Sequence, residues 1–271
     1  MLDAYAPAQM ALLVEAVGVR KALMPWLPTT MLGLLAGAFI GFGACFYTVV
    51  ITDTGMGYGP TRLLGGLAFS LGLILVIIGG AELFTGNSLI VMAWADRKVS
   101  TAALLRNWGL VLAANFAGAV ATAAVVVWSG AMTTTPAVTA TAIRIAEAKI
   151  ALAPSSAFLR GILCNVLVCL AVWLCFAART VADKVLSIPL PVAAFIALGF
   201  EHSIANMYFL PVAWLLGSTK VGVMPMLANL VPVTLGNIVG GGVLVAGTYW
   251  AIYLRPNKVA ERPASGHHEP D

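Results

Sequence analysis

Two copies of one short polar pattern, each set inside a long apolar stretch, constrain this chain more than any other feature. The first is Gly80-Ala81-Glu82-Leu83-Phe84-Thr85-Gly86-Asn87 and the second is Gly199-Phe200-Glu201-His202-Ser203-Ile204-Ala205-Asn206. Both read G-x-E-x4-N and they lie 119 positions apart. Carboxylates, carboxamides and an imidazole are costly inside hydrocarbon, so matched clusters in two apolar halves point to a polar path through a membrane. That is the pattern of a transporter or channel.

Composition agrees. Hydrophobic residues make up 61% of the chain and charged residues 10%, against roughly 45–50% and about 25% in a soluble domain. The chain reads as an all-α integral membrane protein with no soluble domain large enough to fold alone. Its net charge of +4 falls mostly in loops and reads as orientation, not nucleic-acid binding. Cys45, Cys164, Cys169 and Cys175 all lie in apolar runs and read as packing residues. No carboxylate or histidine accompanies them at ligand spacing, so no metal and no cofactor is expected. No secretory leader is visible in residues 1–24.

Residues 7–24 carry Met10, Leu13, Val14, Val17 and Leu23 ahead of Pro25 and Pro28, which predicts an interfacial helix stopped by the prolines. Six transmembrane helices follow, at roughly 30–52, 63–95, 108–129, 159–178, 185–217 and 226–253. The second and fifth are about 33 residues long, or about 50 Å as one helix, against a hydrocarbon core of about 30 Å. They must tilt steeply or break, and the two polar clusters mark where a break falls. The expected organisation is an N-terminal cytoplasmic or interfacial helix at 1–29, a six-span transport domain at 30–254 and a disordered tail at 255–271. Residues 132–154, Thr- and Ala-rich between Pro136 and Pro154, form an outer connection with a short helix.

With the N terminus cytoplasmic, the inside segments hold ten Lys and Arg residues and the outside segments five, Arg62, Arg144, Lys149, Arg160 and Lys220. The positive-inside rule then puts both termini in the cytoplasm, as in a bacterial-type inner membrane protein. The halves also repeat at Asn115-Phe116-Ala117-Gly118 and Asn237-Ile238-Val239-Gly240. Three spans per half place the second half upside down relative to the first, giving an inverted 3+3 repeat with its site near the midplane. Gly33, Gly37 and Gly41, and Gly240, Gly241 and Gly242, read as helix-packing glycines.

His202 is the one histidine outside the tail, and its ordinary pKa of about 6.5 suits proton exchange near neutral pH. Glu82 and Glu201 read as acceptors for backbone N–H groups freed at the breaks, and Asn87 and Asn206 as partners of the same kind. Glu201, beside His202 in sequence, is also placed to influence the imidazole. Thr85 lies in the first break, where its hydroxyl can face the pore and bond His202 or a substrate. Asn165 is a lone amide in an apolar run and reads as facing a cavity. Lys149, near the outer mouth, is either an ordinary surface lysine or an anion lure. Leu73, Leu83, Phe69, Phe84 and Phe195 read as core by type alone.

At these residues the chain resembles the formate/nitrite transporter family. The two G-x-E-x4-N stretches carry the resemblance, together with Asn229-Leu230-Val231-Pro232-Val233-Thr234-Leu235-Gly236-Asn237-Ile238-Val239-Gly240-Gly241-Gly242. It covers roughly residues 10–255 and implies an aquaporin-like protomer with broken second and fifth spans, assembled as a homopentamer with one pore per protomer. It further implies small weak-acid anions as substrates (formate, nitrite and in some members hydrosulfide, acetate or lactate), a central histidine at His202, a threonine at Thr85, a pore asparagine at Asn165 and a vestibule lysine at Lys149. The apolar constrictions would use Leu73 and Leu83 toward the cytoplasm, and Phe69, Phe84 and Phe195 toward the outside.

An anion in a dry constriction faces an idealised cost of order 20 kcal/mol, which neutralisation largely removes. The expected route has Lys149 attract the hydrated anion and protonated His202, with Thr85, bond it between the constrictions. His202 then donates a proton or stabilises protonation from water, and the neutral acid passes on. Formate is the first expected substrate and nitrite, of the same size, charge and bent shape, the second. An aquaporin-type water or glycerol channel would carry Asn-Pro-Ala at both half-helix starts, which this chain lacks. A membrane enzyme would need a nucleophile or metal cluster, and none is recognisable here.

Overall fold

The computed structural model of the chain describes residues 4–255. The expected tail beyond Arg255 lies outside the described residues. Helix α1 spans Pro7–Leu23, α2 Trp26–Val50 and α3 Tyr58–Ile78. After an interruption, a 3-10 turn at Gly86–Ile90 runs into α4 (Val91–Ala95), and α5 (Thr101–Trp128) closes the first half. The second half runs through α6 (Pro136–Ile150), α7 (Pro154–Ala177), α8 (Val181–Ser187), α9 (Pro189–Ala197), α10 (Ser203–Leu215) and α11 (Val223–Ile238). Helix α11 continues through π-helical turns at Val239–Gly247 and Trp250–Leu254. Among the described residues there is no strand.

Prolines set several of these starts. Pro7, Pro136, Pro154 and Pro189 stand in the first helical positions of α1, α6, α7 and α9, where a missing N–H costs nothing. The same physics corrects one expectation. Pro28 does not stop a helix; it lies in the first turn of α2, so the first span begins at Trp26 instead of residue 30. Residues 185–187, assigned by sequence to the fifth span, belong to the separate short helix α8.

Among the described residues, five helices are long and apolar enough to cross a membrane: Trp26–Val50, Tyr58–Ile78, Thr101–Trp128, Pro154–Ala177 and Val223–Leu254. One of them, Tyr58–Ile78, is the first part of an interrupted segment, and a second interrupted segment is built from α9 and α10. Helix stops at Ile78 and resumes at Gly86, and stops again at Ala197 and resumes at Ser203. Helix α2 packs along α3 and α5, and α7 packs along α9 and α11. The two halves exchange their resumed segments. Helix α10 packs on α5 and α2, while the Gly86–Ile90 turn packs on α7 and the Val239–Gly247 turns.

Close helix approach depends on small residues at matched places. A Cβ on Gly118 would collide with the carbonyl oxygen of Leu34, and one on Gly240 with that of Ile162. Backbone cannot move aside as a side-chain tip can. Gly118→Ala and Gly240→Ala are each expected to cost about 1–3 kcal/mol. The melting temperature of the detergent-solubilised protein reads this, and an unchanged value would show that the crossings are looser than drawn.

Helix α1 buries Met10, Ala11, Val14, Glu15, Gly18 and Ala22 against the Gly86–Ile90 turn, α4, α7 and the last π turns, and exposes Leu12, Leu13 and Leu23. Its buried Glu15 pairs with Lys98 in the loop after α4. Burial pushes the Glu15 carboxyl above the usual carboxylate range against the pull of Lys98, and the bond to Glu15 raises Lys98 in turn.

Candidate functional site

Each break is built the same way. The chain leaves α3 and α9 through Gly80 and Gly199, at φ 74° and 71°, conformations that L side chains rarely adopt. The following N–H groups reach five residues back, Ala81 to Val76 and Phe200 to Phe195, both at 2.9 Å. Beyond the turn, Glu82 N–H donates to Leu32 O and Glu201 N–H to Arg160 O, both at 3.2 Å.

One asparagine then serves several more backbone groups at each break. Asn115 of α5 accepts from Phe84 N–H at 2.9 Å and donates to Gly33 O at 2.8 Å and Glu82 O at 2.9 Å. Asn237 of α11 accepts from Ser203 N–H at 2.9 Å and donates to Gly161 O at 2.8 Å and Glu201 O at 3.0 Å. An amide offers both donors and an acceptor, which is what a broken helix in a water-free interior requires.

The carboxylates have a different task from the one expected of them. Glu82 meets Lys21 at 2.9 Å and accepts from Asn87 at 2.7 Å; Glu201 meets Lys149 at 3.0 Å and accepts from Asn206 at 2.6 Å. Asn87 and Asn206 likewise bond side chains, reaching Asn107 at 3.0 Å and Asn229 at 2.7 Å. Asn107 and Asn229 close each ring by donating to the backbone oxygens of Lys21 and Lys149. The freed backbone groups are taken instead by Asn115 and Asn237, because those amides project from the neighbouring span directly onto the break. Lys21, Asn107 and Asn229 were not singled out from sequence. Their signal was there: Asn107 and Asn229 keep the same spacing as Asn115 and Asn237.

Lys149 is therefore no free surface lysine. Its side chain is 15% exposed and that of Glu201 5%. Lys149→Gln would leave Glu201 a buried carboxylate without its cation, at an expected cost of about 3–5 kcal/mol. Adding Glu201→Gln should return part of that loss, a coupling that a double-mutant cycle of melting temperatures measures. Strict additivity would rule out the pair as a unit.

The centre is where the repeat is deliberately unequal. His202 caps α10, its Nδ1 accepting from Ala205 N–H at 3.1 Å, and its Nε2 lies 3.1 Å from Thr85 Oγ1. A backbone N–H can only donate, so Nδ1 carries no hydrogen and the neutral ring holds its hydrogen on Nε2, aimed at Thr85. At the registers matching His202 and Thr85, the other half has Leu83 and Ile204. Glu201 turns away to Lys149 and Asn206 and makes no bond to the imidazole.

Asn165 of α7 is fully buried. It donates to Thr85 O at 3.2 Å, Ser88 Oγ at 3.1 Å and Asn237 O at 2.6 Å, tying the first break to α11. Phe195 lies nearly parallel to the His202 ring at 6.0 Å, and Phe69 meets Phe195 edge-on at 5.8 Å. Phe84 packs instead on Trp108, at 6.2 Å. Leu73 and Leu83 line a small cavity with Lys21 and Asn87. A second cavity, of about 160 Å³, is lined by Tyr47, Arg62, Lys149, Arg160, Glu201 and Phe209.

The site thus comprises two lysine-bearing cavities, one beside each break, and a histidine–threonine pair that joins the breaks. The sequence profile described as formate/nitrite transporter matches residues 8–251. The chain belongs to the formate/nitrite transporter family. It is a multi-pass membrane protein. The formate channel FocA of Escherichia coli K12 is 41% identical over 275 residues, with 94% of this chain and 96% of FocA covered. A probable formate transporter of Methanothermobacter thermautotrophicus is 39% identical, over 92% of this chain and 97% of that protein. Among solved structures, a pentameric formate channel with formate bound matches with a TM-score of 0.75 at 41% identity, covering 83% of this chain and 96% of its own. An ion channel of the same family matches with a TM-score of 0.82 at 29% identity, covering 90% and 98%.

Proposed function

We propose that this family member conducts small monovalent weak-acid anions, formate first and nitrite by the same pore, through one path per protomer of a homopentamer. The observation that carries the reading is the His202 Nε2 to Thr85 Oγ1 approach of 3.1 Å between the two breaks. FocA and the formate-bound pentamer support the choice of formate and the assembly.

The path runs from the Lys149 cavity past Phe69 and Phe195 to His202 and Thr85, then past Leu73 and Leu83 to the Lys21 cavity. Each lysine field draws in the hydrated anion. Between the apolar walls the anion takes hydrogen bonds from His202 Nε2–H and the Thr85 hydroxyl, and a proton arriving from water converts it to the neutral acid. Drawing that proton from the ring itself would leave an imidazolate, and storing it at Nδ1 would cost the bond from Ala205. The ring thus acts as donor and holder, which narrows the protonated-histidine role expected from sequence. Both termini and the Lys21 cavity face the cytoplasm in this reading, following the Lys and Arg distribution.

Flux of formate and nitrite into proteoliposomes, compared across pH with internal pH recorded, tests it. Formate entering fastest with matching internal acidification is the expected result. Nitrite dominance would move only the substrate; movement of water or glycerol with neither anion would overturn the reading.

A further inference from the structure

The Lys149 cavity holds more positive charge than its lysine supplies. Lys149 is already paired, with its carboxylate Glu201 shared only with Asn206. Arg62, from the first turns of α3, and Arg160, from the second turn of α7, line the same cavity. Neither meets a carboxylate within ion-pair distance among the described residues. Arg62 donates to Tyr47 Oη at 2.8 Å and to Ile196 O, and Arg160 donates to Gly199 O at 3.3 Å. The Arg62 Nε is buried and has no partner.

The two guanidinium groups converge on one point. A Cβ built on Gly199 would lie 3.6 Å from Arg62 Nη2 and 3.7 Å from Arg160 Nη1. The carbonyl oxygens of Ile196 and Gly199 at the end of α9 hold the two like charges near each other, and a small oxyanion lying against both planar forks would add to that hold.

We propose that Arg62 and Arg160, over Gly199, form an anion-binding station at the Lys149-side mouth, distinct from the His202–Thr85 centre, that takes a small carboxylate or similar oxyanion before it reaches the aromatic constriction. The kinetic part of the test rests on the transport reading above; the binding part does not.

Arg160→Gln is the variant to make, since it removes one modest bond to Gly199 O, whereas a change at Arg62 also frees Tyr47 and Ile196 O. Crystals of the protein soaked in sodium bromide should place an anomalous peak between the two guanidinium groups, and the same soak of Arg160→Gln should lose it. The formate concentration giving half-maximal uptake should rise about five- to tenfold in Arg160→Gln, the size of one screened charge contact at about 4 Å. It should stay within about twofold of normal in Arg160→Lys. A bound anion keeps this difference at roughly 0.5 M salt, where a long-range field is screened out. No bromide at the pair, a peak that persists in Arg160→Gln, or a kinetic difference that vanishes at high salt would each overturn the station. Absence of formate flux in the unaltered protein would remove the transport reading, and the bromide result would still decide the station.

Discussion

Formate uptake into proteoliposomes is expected to fall roughly 10- to 150-fold when His202 is replaced by Phe. A hydrogen bond to a charged group is worth about 1.5–3 kcal/mol, and that range sets the fold-change. The Phe ring keeps the bulk beside Phe195 but has no Nε2–H to offer the anion 3.1 Å from Thr85. The change also removes the cap on α10, at about 0.5–2 kcal/mol of stability. His202→Asn separates the two roles, because Asn accepts well at a helix start and cannot reproduce the imidazole donor at Thr85. The expected pattern is a slow, less stable Phe variant and a slow, stable Asn variant. Normal uptake in His202→Phe would remove the imidazole from the mechanism.

Asn115→Leu and Asn237→Leu are expected to be the most damaging single changes for folding. Each strands one N–H and two carbonyls, at about 1–3 kcal/mol per buried group. For Asn115 these are Phe84 N–H, Gly33 O and Glu82 O. The total of roughly 3–9 kcal/mol rivals the about 5–15 kcal/mol that holds a typical fold. Neither variant should survive extraction as a folded protein on size-exclusion chromatography. Asn115→Asp, which keeps the acceptor for Phe84 and loses the donors, should fall between. A Leu variant that melts like the unaltered protein would mean that the breaks are held by something other than these amides.

Much of the architecture was legible in advance for one reason: lipid is an unforgiving solvent. A polar cluster in an apolar run has few permitted meanings there, so Glu82, Asn87, Glu201, Asn206 and His202 marked the two breaks before any coordinates. The pairing of partners was not legible. Glu82 and Asn87 could equally have served backbone or side chain, and only the crossing of α5 beside the break brings Asn115 onto Phe84 N–H while Asn107 meets Asn87. Lys21 looked like one of ten inside charges, yet α1 carries it to Glu82. Phe84 was grouped with Phe69 and Phe195 by type, but its ring packs on Trp108.

By itself the sequence determined the broken spans, the doubled halves and the chemical types available at the centre. These are local quantities, set by hydropathy over about twenty residues and by what a polar group costs in hydrocarbon. Only the tertiary structure decided that Thr85 and His202, 117 positions apart, share a hydrogen bond, that Asn165 ties the first break to α11, and that two arginines converge on Gly199. Those meetings depend on helix crossings at which several residues from distant segments must fit at once, and one-dimensional spacing carries no record of where two helices cross.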